Sequence, residues 1–121
     1  MGVVMDSQSL TNNMYEPTPS YPVKIFKVKN LDDKGRIIHV GTIEVNSTGI
    51  IFRYEHHPET VSHWPLNCIR RYGISLEGDV FAFEAGRKAP DGEGMYAFRS
   101  TGTQACEIRQ RLDYYTHYNS L

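Results

Sequence analysis

The sequence predicts a mainly β fold with one C-terminal helix, in which seven antiparallel strands form a sandwich or barrel that the helix caps. Three observations carry this. Short runs rich in β-branched and aromatic residues recur from Val23 to Ser100. Gly, Asp, Asn and Pro separate them at short intervals. After Ser100 the apolar spacing changes to steps of three and four, the period of a helix face.

The elements follow in chain order. Residues 1–22 are rich in Ser, Thr, Asn and Pro and show neither period, so they read as a flexible leader before a domain over 23–119. "VKIFKVKN" alternates apolar and basic residues, as a half-buried strand does, and "LDDKG" is a turn. "RIIHVGTIEV" is the second strand, with Gly41 a bulge or bend. "IIFRYE" is the third strand, and "TVSHWPL", ended by Pro65, the fourth. "NCIRRYGI", "DVFAFEAG" and "GMYAFRS" are the fifth, sixth and seventh, with turns at "SLEG" and "RKAPDGEG". In "TGTQACEIRQRLDYYTHY" the residues Ala105, Ile108, Leu112 and Tyr115 share one helical face. Thr101 and Gln104 have capping-box spacing, and Arg109 and Arg111 are expected to face outward. The apolar face must be buried, and the open end of a sandwich offers the surface.

Composition narrows the function. The 121 residues suit one domain that can bury a core without staples. A net charge of −1 gives no electrostatic basis for nucleic-acid binding. No apolar run is long enough to span a membrane, and no signal peptide opens the chain. The opening "MGVVMDS" carries Asp6 where a myristoylation motif wants Ser or Thr, so lipidation is not expected. Cys68 and Cys106 read as buried free thiols, since no CxxC spacing offers a metal or redox site. His56, His57 and His63 match no zinc-ligand spacing and read as an exposed loop. Trp64 reads as a core aromatic. No nucleophile–base arrangement has a supporting context, so neither catalysis nor a cofactor is expected.

"WPLNCIRRYG", followed by "FAFEAGRKAPDGEGMYAF", resembles the phosphotyrosine-binding (PTB) domain of the insulin-receptor-substrate type. "FKVKNLDDKG" and "MYAF" are similar to its fibroblast-growth-factor-receptor-substrate branch, and "FEAGRK" to its docking-protein (Dok) branch. The resemblance covers residues 23–118. It implies a pleckstrin-homology-like fold of two near-orthogonal sheets and a helix. It also implies an NPXpY peptide added as an extra strand beside the fifth strand, next to the helix. The family's phosphate-binding arginines fall on Arg70 and Arg87. A phosphotyrosine carries nearly two charges and three acceptor oxygens, which a planar guanidinium fork suits. Ile69, Arg71, Tyr72 and Lys88, with Ile108 and Leu112 of the helix, are the further groove candidates.

Geometry supports the pair of arginines. If the turn after the fifth strand centres on Glu77–Gly78, then Ile74 faces Phe81, Tyr72 faces Phe83 and Arg70 faces Ala85. Arg70 and Arg87 then share a face about 7 Å apart. Their separation exceeds the family pattern by two residues, which preserves parity. The expected role is a monomeric, non-catalytic adaptor module in the cytoplasm, recruited to the inner face of the plasma membrane by a receptor tyrosine kinase. Two alternatives stand beside it. One is a phosphoinositide-binding module, against which Asp32 and Asp33 in the first turn argue. The other is a phosphate-independent peptide binder. Finally, "SLTNNMYEP" places Leu10 and Asn12 five and three residues before Tyr15, like a ligand, but Asn13 stands where the motif wants Pro.

Overall fold

The computed structural model describes residues 2–5 and 22–118. Its strands are β1 (Val3–Met5), β2 (Ile25–Leu31), β3 (Ile37–Asn46), β4 (Gly49–Tyr54), β5 (Val61–Pro65), β6 (Ile69–Ser75), β7 (Val80–Ala85) and β8 (Gly94–Arg99). A 3-10 turn over Leu66–Cys68 leads into β6, and helix α1 (Gln104–Tyr118) closes the described chain. Hydrogen bonding runs through all eight strands in one unclosed sheet, in the order β1-β6-β7-β8-β2-β3-β4-β5. Every pairing is antiparallel. The seven expected strands are present in the expected order, and the helix follows them.

The turns are built by the residues that suit them. Asp32 Oδ1 accepts from the backbone N–H of Lys34 and Arg36 at 2.9 and 2.8 Å, which closes the β2–β3 hairpin. These bonds, that from Arg36 first, hold its carboxyl below the usual carboxylate range. Gly78, at φ 82°, supplies the left-handed residue of the β6–β7 turn, where its N–H donates to Ser75 O at 2.9 Å.

The core lies on the inner face of the curled sheet. Trp64 of β5 meets Phe83 of β7 at a ring-centroid distance of 5.1 Å, so strands distant in the hydrogen-bonding order face one another. Phe26, Phe52, Phe81, Phe83 and Phe98 are fully buried there, and Ala105, Ile108, Leu112 and Tyr115 bring α1 onto them. The helix face is the one its spacing predicts.

Several expectations need correction. Val3–Met5 do not belong to a patternless leader: they pair with β6. Their apolar, partly β-branched sequence meets an otherwise unpaired strand edge. Gly41 is not a bulge, since its pairing with Val28 and Tyr54 is in register. A Cβ there would sit 2.1 Å from Arg53 O, so close backbone approach explains the glycine. Arg111 is buried, not outward. Its guanidinium covers the Phe26 ring, and its Nη1 donates to Pro22 O at 2.6 Å. Cys68 lies in the 3-10 turn, and Cys68 and Cys106 are both free and half-buried. At the helix start Gln104 Oε1 lies 2.6 Å from Ser100 Oγ, so the side chain of Gln104 serves Ser100 instead of a capping box with Thr101.

Candidate functional site

The site begins with an irregularity. Ile69 pairs with Ala85 and Arg71 with Glu84, so Arg70 is the extra residue of a β-bulge. Parity places Arg70 opposite Ala85, but Ile69 takes that place and the bulge carries Arg70 off the core face. A bulge re-aims the side chain it inserts. Here the guanidinium of Arg70 lies across Gly86, where a Cβ would stand 3.1 Å from Arg70 Nε. Gly86 is tied down in turn, its N–H donating to Cys68 O at 2.7 Å. The sheet thus brings Arg70 against the residue that precedes Arg87. Arg87 and Lys88 are exposed, and among the described residues neither has an ion pair.

Carboxylates accompany these cations. Arg70 Nη1 lies 3.5 Å from Glu84 Oε2 and 3.3 Å from Glu93 Oε2. Arg71, on the opposite face from Tyr72, donates from Nε to Glu84 Oε1 at 2.7 Å. That bond, more than the nearby charges, holds the Glu84 carboxyl below its usual range. The end of the sheet therefore carries Arg70, Arg71, Arg87 and Lys88 against two glutamates. Such an excess of donors can take up an added anion, and planar guanidinium groups suit an oxyanion in particular.

The helix side of β6 is more polar than the spacing of α1 predicts. Tyr72 Oη donates to Asp113 Oδ1 at 2.5 Å and lies 3.1 Å from Thr116 Oγ1. Burial, then the bond to Asp113, pushes its phenol up to about 12. Tyr72 thus links β6 to α1, and its ring packs on the core with Ile69 and Ile74. Ile108 and Leu112 are fully buried and offer no surface to a ligand. Both belong to the core that fixes α1 against β6, and Tyr72, Asp113 and Thr116 form the rim.

Sequence reasoning missed Glu84, Glu93 and Asp113. Glu84 is legible once the register is known, because it faces Arg71 across the sheet. Glu93 and Asp113 are distant in the chain from their partners, and no local pattern marks them. Tyr15 and its "SLTNNMYEP" context lie outside the described residues.

A second feature lies on the outer face of the sheet. A cleft of about 630 Å³ is lined by Lys27, Lys29, Arg53 and Arg99, with Thr42 and Val40 between them. Lys29 stands directly opposite Arg99, and Thr42 lies between Lys27 and Arg53. Among the described residues no group of His, Cys, Asp or Glu could hold a metal ion, and no helix is long and apolar enough to cross a membrane.

An antiparallel sheet curled around an aromatic core, packed against a C-terminal helix, with arginines on β6 and just beyond β7, defines a class. The chain belongs to the PTB domains of IRS-1 type, whose family model matches residues 26–120. It is 35% identical to fibroblast growth factor receptor substrate 3 of Homo sapiens over 102 residues, 84% of this chain and 19% of that protein. It is 38% identical to fibroblast growth factor receptor substrate 2 of Mus musculus over 74 residues, 61% of this chain and 14% of that protein. It is 41% identical to docking protein 3 of Mus musculus over 51 residues, 42% of this chain and 11% of that protein. The chain therefore spans about a fifth of the length of the receptor substrates it matches, or less.

Proposed function

We propose that this domain is a non-catalytic adaptor module that binds phosphotyrosine peptides of NPXpY type by strand addition along β6. In this reading Arg70 and Arg87 hold the phosphate, and Arg71 and Lys88 contribute longer-range charge. The upstream peptide backbone pairs with β6, flanked by Ile69, Tyr72 and the rim of α1. In this reading the peptide comes from a receptor tyrosine kinase; the related proteins are named as substrates of a fibroblast growth factor receptor. The module then acts as a monomer at the inner face of the plasma membrane, where the receptor brings it.

One observation carries this reading: the β6 bulge lays Arg70 across Gly86, the residue before Arg87, at the end of β6 that β1 leaves unpaired. A single module of this size is expected to bind near the micromolar range, about −8 kcal/mol. The test is calorimetric titration with matched phosphorylated and plain NPXY peptides. The phosphorylated peptide should bind more tightly, and the double variant Arg70→Ala, Arg87→Ala should lose that advantage while keeping its fold. Equal binding of both peptides supports phosphate-independent recognition instead.

The outer cleft favours one second reading, a phosphoinositide headgroup held by Lys27, Lys29, Arg53 and Arg99. Lys29 stands directly opposite Arg99, an unfavourable pair of like charges that Asp79, 3.5 Å from Arg99, and Glu55 of the cleft wall offset only in part, which leaves room for an anion. The β2–β3 turn gives this reading no help, because Asp32 already pairs with Arg36 at 2.9 Å. Sedimentation with phosphoinositide vesicles, comparing wild type with Lys27→Glu, Lys29→Glu, decides it.

A further inference from the structure

The edge of β6 is partly occupied by the chain itself. β1 pairs antiparallel with it, Val3 opposite Ser75, Val4 opposite Ile74 and Met5 opposite Gly73. Leu76 N donates to Gly2 O at 3.2 Å, which makes Gly2–Leu76 a hydrogen-bonded pair. Alternation by two makes Val4–Ile74 the next such pair. The ladder ends at Met5–Gly73, so the positions of β6 nearest Arg70 carry no partner from β1.

Polarity gives this arrangement a meaning. β1 runs from Ser75 toward Gly73, and so toward Arg70. A peptide added antiparallel to β6, with its phosphotyrosine at Arg70, runs the same way. Its residues upstream of the turn would fall on Gly73–Ser75, the positions β1 holds. An edge has a single row of N–H and C=O groups and can pair with one chain at a time.

We infer that β1 is a resident pseudo-ligand, which competes with the upstream flank of a bound peptide and leaves the phosphate end of the site open. The inference rests on the peptide reading proposed above. A three-residue strand holds few bonds, but because it belongs to the same chain its competition is intramolecular and does not depend on protein concentration. The free domain then reads mainly the residues next to the phosphotyrosine. A peptide with a long, strand-forming upstream flank must evict β1, and its apparent affinity is lowered by the fraction of molecules in which the edge is closed.

The experiment uses the full chain, its Val4→Pro variant and a variant lacking residues 2–5. Proline at the central pair removes a ladder donor, so β1 cannot form as described. Two NPXpY peptides are titrated, a long one that extends eight residues before the phosphotyrosine and a short one that starts at the Asn. Both variants should bind the long peptide several-fold more tightly than wild type and the short peptide equally well. Unchanged or weaker binding of the long peptide, with the short peptide still bound, overturns the inference and spares the peptide reading. Failure of every protein to bind either peptide overturns both. Loss of folding in both variants also counts against the inference, because a strand ready for eviction is not one the fold requires.

Discussion

Arg70 shows how little of a site one residue explains. Its charge is legible from sequence, but its position depends on a bulge that no local pattern announces. Counting by twos pairs Arg70 with Ala85, whereas the bulge gives that place to Ile69. What the bulge provides is contact with Gly86, and this yields a prediction. Gly86→Ala puts a methyl 3.1 Å from Arg70 Nε, the end of a flexible side chain that can move aside. The variant should fold with nearly unchanged thermal stability and bind phosphopeptide several-fold more weakly, as titration would read. Glu93 makes the opposite case. On the proposed reading its carboxylate, held to Arg70 by a pair exposed on both sides, would compete with the ligand's phosphate. Exposed pairs are worth up to about 1 kcal/mol. Glu93→Gln should thus raise phosphopeptide affinity by up to about fivefold, most visibly at low salt. Unaltered affinity at low salt would show that Glu93 does not guard the arginine.

Among the elements, β6 and α1 must be held together for any groove to exist. Two kinds of contact do this, and only one was legible. The apolar steps at Ala105, Ile108, Leu112 and Tyr115 identified the buried helix face directly. Leu112→Ala should cost about 2–5 kcal/mol in urea unfolding, since its side chain is fully buried. A cost within a few tenths would mean that α1 is not docked as described. The polar contact, Tyr72 to Asp113, spans 41 positions and could not be read from spacing. Its pH dependence has a definite sign. The folded phenol titrates near 12, above its usual 10, so the folded state holds this proton more tightly than the unfolded one. The stabilisation is fully present below pH 10 and is lost as pH rises from 10 to 12. Tyr72→Phe should flatten that part of the stability curve, and absorbance at 295 nm should lose a tyrosine that titrates above its usual 10. β1 was the element missed altogether. Its three residues are too few for periodicity to register, and what makes them a strand is the edge they meet.

For the molecule as a whole, the sequence carried the fold because its signals agree. Frequent turns, alternating strands and one terminal helical period point to one architecture, and the sheet order then follows from pairing. Recognition of the family rested on "IRRYG" and "FEAGRK", which lie on β6 and at the end of β7. Long-range relations stayed out of reach: Arg111 over Phe26, Arg70 against Glu93, and β1 along β6. Each joins segments that only the folded sheet brings together. The net charge of −1 says nothing of two local excesses of positive charge, one beside β6 and one on the outer face.

On the proposed reading, a phosphotyrosine peptide lies along β6 with its phosphate between Arg70 and Arg87. Backbone amide chemical shifts, recorded while an NPXpY peptide is titrated into the full chain, test it most directly. Ile69–Ser75 and Gly86–Lys88 should shift together, with one saturation curve. Shifts confined to Lys27, Lys29, Arg53 and Arg99 on the outer face, with β6 unmoved, would contradict it.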